Sequence, residues 1–328
     1  MLYTPDTASK SDDSDDGVEL LGNGAFQTAI ISEPHLPVLS QNISIEREDL
    51  TAFSSRDGSI ITKTFKEGKG NSFFKLDNGG YIRNATEIAN DVLQAESRKS
   101  LDRKSSESPE NAAALPQVLI IHTHTSESYA TADYYDFDYS FRTQDSSKNI
   151  VAVGAVIAQE IAKAGFAVIH DGTVHDFPLF TGAYKRSGDT VKAILAQYPS
   201  IKIVLDIHRD AIEHDESPVA AVASAEGGSD TLPAQLMIVA PADDGEWGVP
   251  DFMQNFRLAA HLQSQLENDH SEYEHLTRPV LFQYCNYNMN LSSGALLIEV
   301  GSHGNTLKQA LYAGELFGKS VGNLLKDN

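Results

Sequence analysis

From Pro116 to the C-terminus, short apolar runs alternate with segments whose apolar residues recur at helical spacing. The apolar runs typical of buried strands cover residues 117–121, 166–170, 201–208, 234–240 and 295–300. The segments with helical spacing cover residues 149–164, 186–197, 251–268 and 305–326. Strands that alternate with helices predict an α/β fold, in which helices cover both faces of a mainly parallel central sheet.

The first 115 residues follow other patterns. Residues 1–40 begin with an acidic, Gly- and Ser-rich stretch and are predicted to be disordered. Residues 41–96 form a small N-terminal region with β character, in which short β-like runs precede a predicted helix at 85–96. The region is either a separate β subdomain or an arm packed on the main domain. Residues 97–115 are charged and Ser-rich, which predicts a linker to a main domain at 116–328.

Three of the predicted strands end in side chains that can bind a metal or transfer a proton. Residues 122–129 (HTHTSESY) follow the first strand, residues 206–210 (DIHRD) end the third, and Glu299 ends the last. The carboxyl ends of parallel strands meet at one edge of a sheet, so these groups are expected to lie together. Catalytic zinc takes three N or O ligands and acidifies a bound water. The pattern therefore predicts metal-assisted hydrolysis, although HTHTSE alone could be a polar strand end.

Five segments carry a resemblance to a known family. They are QVLIIHTHTSESY, NIVAVGAVIAQEIAKAGFAVIHDGTVHD, GAYKRSGDTVKAIL, IKIVLDIHRDA and GALLIEVGSHGNT, all within residues 116–328. In order and spacing they resemble the stage II sporulation protein P family, which is related to zinc-dependent N-acetylmuramoyl-L-alanine amidases. GGYIRNAT at 79–86 resembles the same family more weakly.

The resemblance implies an amidase-like fold and a septal peptidoglycan hydrolase that acts during engulfment of the forespore. Such an enzyme cuts the amide bond between N-acetylmuramic acid and the stem peptide, and can also cut peptide cross-links. The resemblance further implies one zinc ion per chain and two partners, stage II sporulation proteins D and M. Family members are held outside the cytoplasm, at the septum, by an N-terminal membrane helix. This sequence contains no apolar run of 18 or more residues, so the anchor is not expected within it.

Carried over residue by residue, the metal ligands of the family fall on His124, Glu127 and His208, and its catalytic glutamate falls on Glu299. His122 and His124 both match the motif. His124 is preferred because it lies further out on the strand. His122 would then contact a metal ligand without binding the metal itself.

Other polar residues near the same rim are candidates for supporting or substrate-binding roles. Asp206 precedes His208 by two residues, on the same face of the strand, and could orient it. Guanidinium groups match carboxylates, so Arg186 and Arg209 could bind an acidic stem peptide, with surface ion pairs as the alternative. His170 and His175, each followed by an aspartate, could orient a ligand or simply form turns.

Composition excludes several other classes of protein. A formal net charge of -21 disfavours nucleic-acid binding, which needs clustered Lys and Arg. The single cysteine, Cys285, is more consistent with a buried thiol than with a Cys-His protease. There is no GxxxxGK[ST] phosphate loop and no GxSxG elbow. The alternatives to an amidase are a zinc peptidase with other substrates and a non-catalytic scaffold that binds the cell wall.

Overall fold

A computed structural model of the 328-residue chain describes residues 28–31, 57–101, 115–131, 134–136, 140–225 and 232–327. Most of the segment that is predicted to be disordered, and residues 102–114 of the predicted linker, lie outside the described residues.

The described part contains sixteen strands and five α-helices. The strands are β1 (Thr28–Ile31), β2 (Asp57–Ser59), β3 (Ile61–Lys63), β4 (Phe73–Lys75), β5 (Tyr81–Ala85), β6 (Val118–Ile121), β7 (Tyr134–Asp136), β8 (Val168–Asp171), β9 (Ile203–Asp210), β10 (Glu213–His214), β11 (Ser217–Ala221), β12 (Ser224–Ala225), β13 (Leu236–Ala242), β14 (Tyr273–Glu274), β15 (Val280–Tyr284) and β16 (Ala295–Ser302). The helices are α1 (Asn90–Ser97), α2 (Ile150–Lys163), α3 (Ala183–Gln197), α4 (Phe252–Asp269) and α5 (Leu307–Asp327). None of these helices is long and apolar enough to cross a membrane.

Nine strands form one sheet in the order β1-β8-β6-β9-β16-β13-β15-β5-β4. The four consecutive strands β8, β6, β9 and β16 are mutually parallel. Strands β13, β15 and β5 are parallel to each other, but β13 lies antiparallel to β16. Both edge strands, β1 and β4, are antiparallel to their neighbours. The predicted α/β fold with a mainly parallel sheet is confirmed, with the sheet reversing direction between β16 and β13.

Alternate residues of the central strands point to opposite faces, and each face is covered by helices. Val118 and Ile120 pack with residues of α2, α4 and α5, and this side is called the α2 face. Leu119 and Ile121 pack with residues of α3, and this side is called the α3 face. Each fully buried aliphatic side chain of this kind contributes about 1.5–3 kcal/mol.

A glycine lets α2 and α5 approach closely on the α2 face. A Cβ atom placed on Gly318 would lie 2.7 Å from the carbonyl oxygen of Ile157, so a larger residue would push the two helices apart. This contact fixes the position of α2, which begins beside the ends of the parallel strands.

Two strands of the N-terminal region, β4 and β5, extend the main sheet, so this part of the region packs on the main domain. Strand β5 is parallel to β15, and β4 pairs with β5 at the edge. At the other edge, Thr28–Ile31 pairs with β8, although these four residues lie inside the segment that is predicted to be disordered. An edge strand is held by backbone hydrogen bonds, which side-chain composition does not report.

Candidate functional site

The candidate site lies beyond the carboxyl ends of β6, β9 and β16, which are adjacent and parallel. Across β9 and β16, the Cα atom of Glu299 is paired with that of His208. His208 lies four residues after Val204 and Glu299 lies two residues after Leu297, and both of these side chains pack on the α3 face. Residues an even number of positions apart on a strand share a face, so the side chains of His208 and Glu299 also lie on the α3 face. The turn after β6 brings His124 and Glu127 to the same place.

His124, Glu127 and His208 are neighbours in this site. Nδ1 of His208 is 3.6 Å from Oε2 of Glu127, and the rings of His124 and His208 lie 5.3 Å apart, centre to centre. Two donors at about 2.0–2.1 Å from a tetrahedral zinc ion lie roughly 3.3 Å from each other. This is close to the 3.6 Å between His208 and Glu127. Nδ1 of His124 is buried and has no hydrogen-bond partner.

The donor set therefore has the chemistry of a zinc site. In the described ranges, no group of three or more His, Cys, Asp or Glu side chains is arranged so that it could hold a metal ion. The donors lie beside one another without a closed coordination shell, and His124 has a ring nitrogen available to complete it.

Asp206 lies behind His208 and is held by Thr123. Oδ1 of Asp206 is 3.0 Å from Nε2 of His208, off the axis of the N–H bond. The two carboxylate oxygens accept hydrogen bonds from the backbone N–H and the hydroxyl of Thr123, at 2.9 and 2.6 Å. Burial opposes ionisation, but His208 and these bonds lower the pKa of Asp206 to about 2. Asp206 thus lies beside the ring of His208, and its predicted role in orienting that ring stays a prediction.

The site attracts positive charge. Burial by itself lowers the pKa of His208, but the carboxylates of Asp206, Glu127 and Glu299 together raise it to about 9. A bound metal cation would offset the negative charge of these three carboxylates in place of the proton on His208.

Glu299 is a partly buried residue whose Oε2 atom is buried and has no hydrogen-bond partner. Burial and the nearby Asp210 carboxylate raise the pKa of Glu299 to about 8, against the opposing effect of His208. A side chain whose pKa lies near neutrality can both accept and donate a proton.

His122 lies on the other side of the sheet from His208. It packs toward α2 on the α2 face, where a Cβ on Gly154 would lie 2.4 Å from its Nε2. Its Nδ1 donates to the carbonyl of Ile207 at 3.0 Å, so its Nε2 accepts from Nε2 of His170, also at 3.0 Å. Both ring nitrogens of His122 are thus engaged, and the geometry favours His124 as the ligand.

His175 and Asp176 support the turn that carries His124. Nδ1 of His175 donates to the carbonyl of His122 at 2.9 Å. The buried carboxylate of Asp176 accepts from Ser126 and pairs with Arg142 at 3.2 Å. The ring of His175 therefore contacts the turn on one side and Thr190 on the other.

The predicted roles of Arg186 and Arg209 are not supported. Arg186 donates to three backbone carbonyls, those of His175, Leu179 and Thr181. Buried Arg209 donates to two backbone carbonyls, of Ser128 and Phe141. Both guanidinium groups are held by main-chain acceptors, which the sequence could not reveal, and Nη1 of Arg209 also lies 3.9 Å from Oε1 of Glu127. Binding of a substrate carboxylate by either residue stays a prediction.

Aromatic residues that sequence reasoning missed surround the candidate ligands. Phe180 is stacked on His124 with ring centres 4.4 Å apart, and Tyr184 contacts the same ring edge-on at 5.5 Å. Burial raises the pKa of Tyr184 well above its ordinary value, so its phenol stays protonated. The sequence signal was weak, because Phe180 lies in an irregular segment and Tyr184 lies in the first turn of α3. Cys285 is buried, which raises its pKa to about 12, as expected for an unreactive thiol.

A known protein family matches a part of the chain that includes all three strand-end motifs. A family model described as stage II sporulation protein P matches residues 63–321. This chain belongs to the stage II sporulation protein P family. The match includes β4 and β5 as well as the strands that carry the candidate site, so the family unit extends across the predicted linker.

A curated relative has the same family name. The chain is 25% identical over 203 residues to stage II sporulation protein P of Bacillus subtilis (strain 168), which covers 58% of this chain and 47% of that protein. The chain thus spans about half the length of this relative.

Solved structures with related shapes are amidases, at low similarity. The N-acetylmuramoyl-L-alanine amidase of Clostridium difficile 630 is 14% identical, with a TM-score of 0.37 over 65% of this chain and 96% of that one. The CwlD amidase of Clostridioides difficile, solved in complex with the GerS lipoprotein, is 12% identical, with a TM-score of 0.42 over 65% and 100%. Both TM-scores are below 0.5.

Proposed function

We propose that this chain is a zinc-dependent N-acetylmuramoyl-L-alanine amidase, which cuts the amide bond between N-acetylmuramic acid and the stem peptide of peptidoglycan. One observation carries the proposal: three neighbouring strands bring His124, Glu127, His208 and Glu299 to one rim of the sheet. Two imidazoles and a carboxylate suit a catalytic zinc, and a second, separate carboxylate, that of Glu299, suits proton transfer.

His124, Glu127 and His208 would hold one zinc ion per chain. Bound there, zinc supplies Lewis acidity toward the scissile carbonyl and lowers the pKa of a water molecule. Asp206 keeps the ring of His208 oriented toward Glu127. Oε2 of Glu299 accepts the proton of the attacking water and later delivers it to the leaving amine. The pKa of Glu299 is raised to about 8 in this structure and would fall with a cation held beside His208, which would favour the carboxylate form that accepts a proton.

We assign the enzyme to septal peptidoglycan during engulfment, outside the cytoplasm and at the membrane. Stage II sporulation proteins D and M are its proposed partners. Family membership supports these assignments. The partner assignment is tested by purifying the tagged protein from sporulating cells. Stage II sporulation proteins D and M should co-purify with it, and the absence of both would argue that the enzyme acts independently.

The metal assignment is tested by His208→Ala, with His214→Ala as the matched control. His214 is an exposed histidine on β10 and has no contact with the site. Wild type and the control should contain about one zinc per chain by elemental analysis, and His208→Ala should contain much less. Full zinc occupancy in His208→Ala would remove this residue from the site.

The reaction is tested by digesting purified sacculi and analysing the products. Free stem peptides indicate an amidase. Cut cross-links indicate an endopeptidase, either as an added activity or as the main one. If zinc-loaded protein binds sacculi and releases nothing, the chain is a wall-binding scaffold and the proposal fails.

A further inference from the structure

An exposed apolar patch lies at the mouth of the candidate site. Seven large hydrophobic side chains are exposed among the residues that the structure describes, and four of them are in residues 174–180. They are Val174 (47% exposed), Phe177 (54%), Leu179 (67%) and Phe180 (53%). Apolar side chains concentrated on one short segment mark a binding surface more often than scattered ones do.

The segment that carries the patch is held in place by buried polar contacts. His175 and Asp176 anchor it to the turn after β6. From the other side, Arg186 donates to three carbonyls of the segment and of the residue that follows it. The exposed side chains therefore stand on a fixed backbone, so little ordering entropy opposes binding to them.

The patch is continuous with the candidate metal ligands. Phe180 stacks on His124 with one ring face and is half exposed. The guanidinium carbon of Arg142 lies 4.6 Å from the centre of the Phe180 ring. A substrate bound at His124 would therefore lie next to Phe180 and its exposed neighbours.

The segment that carries the patch exposes no ionisable side chain of its own. Within residues 172–182 the ionisable side chains are His175 and Asp176, and both residues are buried. Asp176 is paired with Arg142, which also lies near Glu127. A stem peptide carries free carboxylates, and these need Lys or Arg partners. A glycan sugar presents an uncharged C–H face, which packs well on exposed aromatic and aliphatic side chains.

We infer that Phe177, Leu179 and Phe180 form a sugar-binding platform that seats the glycan strand beside the scissile amide, with the stem peptide extending away from this segment. The inference rests on the proposed function, because it names the part of the peptidoglycan that this side of the site recognises.

The experiment compares zinc-loaded wild type with Phe177→Ser/Leu179→Ser and with the control Val92→Ser. Val92 is 47% exposed on α1, which packs on the opposite face of the sheet. The probes are glycan strands stripped of stem peptides, and free stem peptides. The double variant should bind glycan strands at least about tenfold more weakly than wild type, with unchanged zinc content and unchanged stem-peptide binding. The control should bind like wild type.

Unchanged glycan binding by the double variant, or no glycan binding by the wild type, would overturn the inference. Weakened binding of free stem peptides alone would also overturn it, because the platform would then face the peptide. If the double variant folds poorly, glycan binding is measured with the single variant Leu179→Ser, which changes the most exposed side chain of the segment. If the wild type hydrolyses no peptidoglycan but the double variant loses glycan binding, the proposed activity fails and the platform stands.

Discussion

Replacing His122 and His124 by alanine, one at a time, should separate a supporting residue from a metal ligand. His122 is fully buried, and both its ring nitrogens are engaged, by the carbonyl of Ile207 and by His170. His124 is only partly buried, and its Nδ1 has no partner beside His208. The first change should act on folding, and the second should act on zinc.

The magnitudes follow from these contacts. His122→Ala leaves two buried polar groups without a partner, at about 1–3 kcal/mol each, so the free energy of unfolding should fall by about 2–6 kcal/mol. At roughly 2–4 °C per kcal/mol, this lowers Tm by about 4–24 °C. His124→Ala removes mainly ring stacking, which is worth about 0.5–1.5 kcal/mol. A lost ligand should weaken zinc binding by more than the 10–100-fold typical of a supporting residue, at about 1.4 kcal/mol per tenfold.

The assay is thermal unfolding of each variant with and without zinc, together with zinc titration. His122→Ala should have a low Tm in both states and still be stabilised by zinc. His124→Ala should resemble metal-free wild type in both states, because ligand binding stabilises only a protein that binds it. The reasoning is refuted if His122→Ala loses the zinc-dependent increase in Tm and His124→Ala keeps it.

Three further predictions concern catalysis, packing and chain organisation. Glu299→Gln should keep its zinc content and Tm but lose at least about 10²-fold in hydrolysis, and near-normal turnover would exclude Glu299 as the acid and base. Gly154→Ala should destabilise the protein by about 1–3 kcal/mol at unchanged zinc content, because the added Cβ would lie 2.4 Å from Nε2 of His122. A Tm equal to that of the wild type would show that the His122 ring can move aside. Trypsin should cut first within residues 97–115, and the two fragments should elute together because β4 and β5 lie in the main sheet; early cuts within residues 150–300 would contradict the proposed boundary.

Hydrophobic periodicity was sufficient to predict most elements of the main domain. The helix predicted at 149–164 is found as Ile150–Lys163, and the strand predicted at 201–208 is found as Ile203–Asp210. Periodicity works because it records which side of an element is buried. The motifs at the strand ends could also be grouped in advance, since parallel neighbours present their carboxyl ends at one edge.

Other features depend on partners that are distant in sequence, and only the tertiary structure decided them. An apolar run has the same pattern in either direction, so the reversal of β13 against β16 could not be predicted. Strand β15 was missed, and β1 was placed in a disordered segment, because strand pairing is a relation between two segments.

The roles of individual polar residues were decided in the same way. In sequence, His122 and His124 are equivalent matches to one motif, and Arg186 resembles a free cation. The fold turns His122 toward α2, leaves His124 beside His208, and directs Arg186 at backbone carbonyls. Residue type determines what a side chain can bind, but its hydrogen-bond partners, which come from elsewhere in the chain, determine whether it is available.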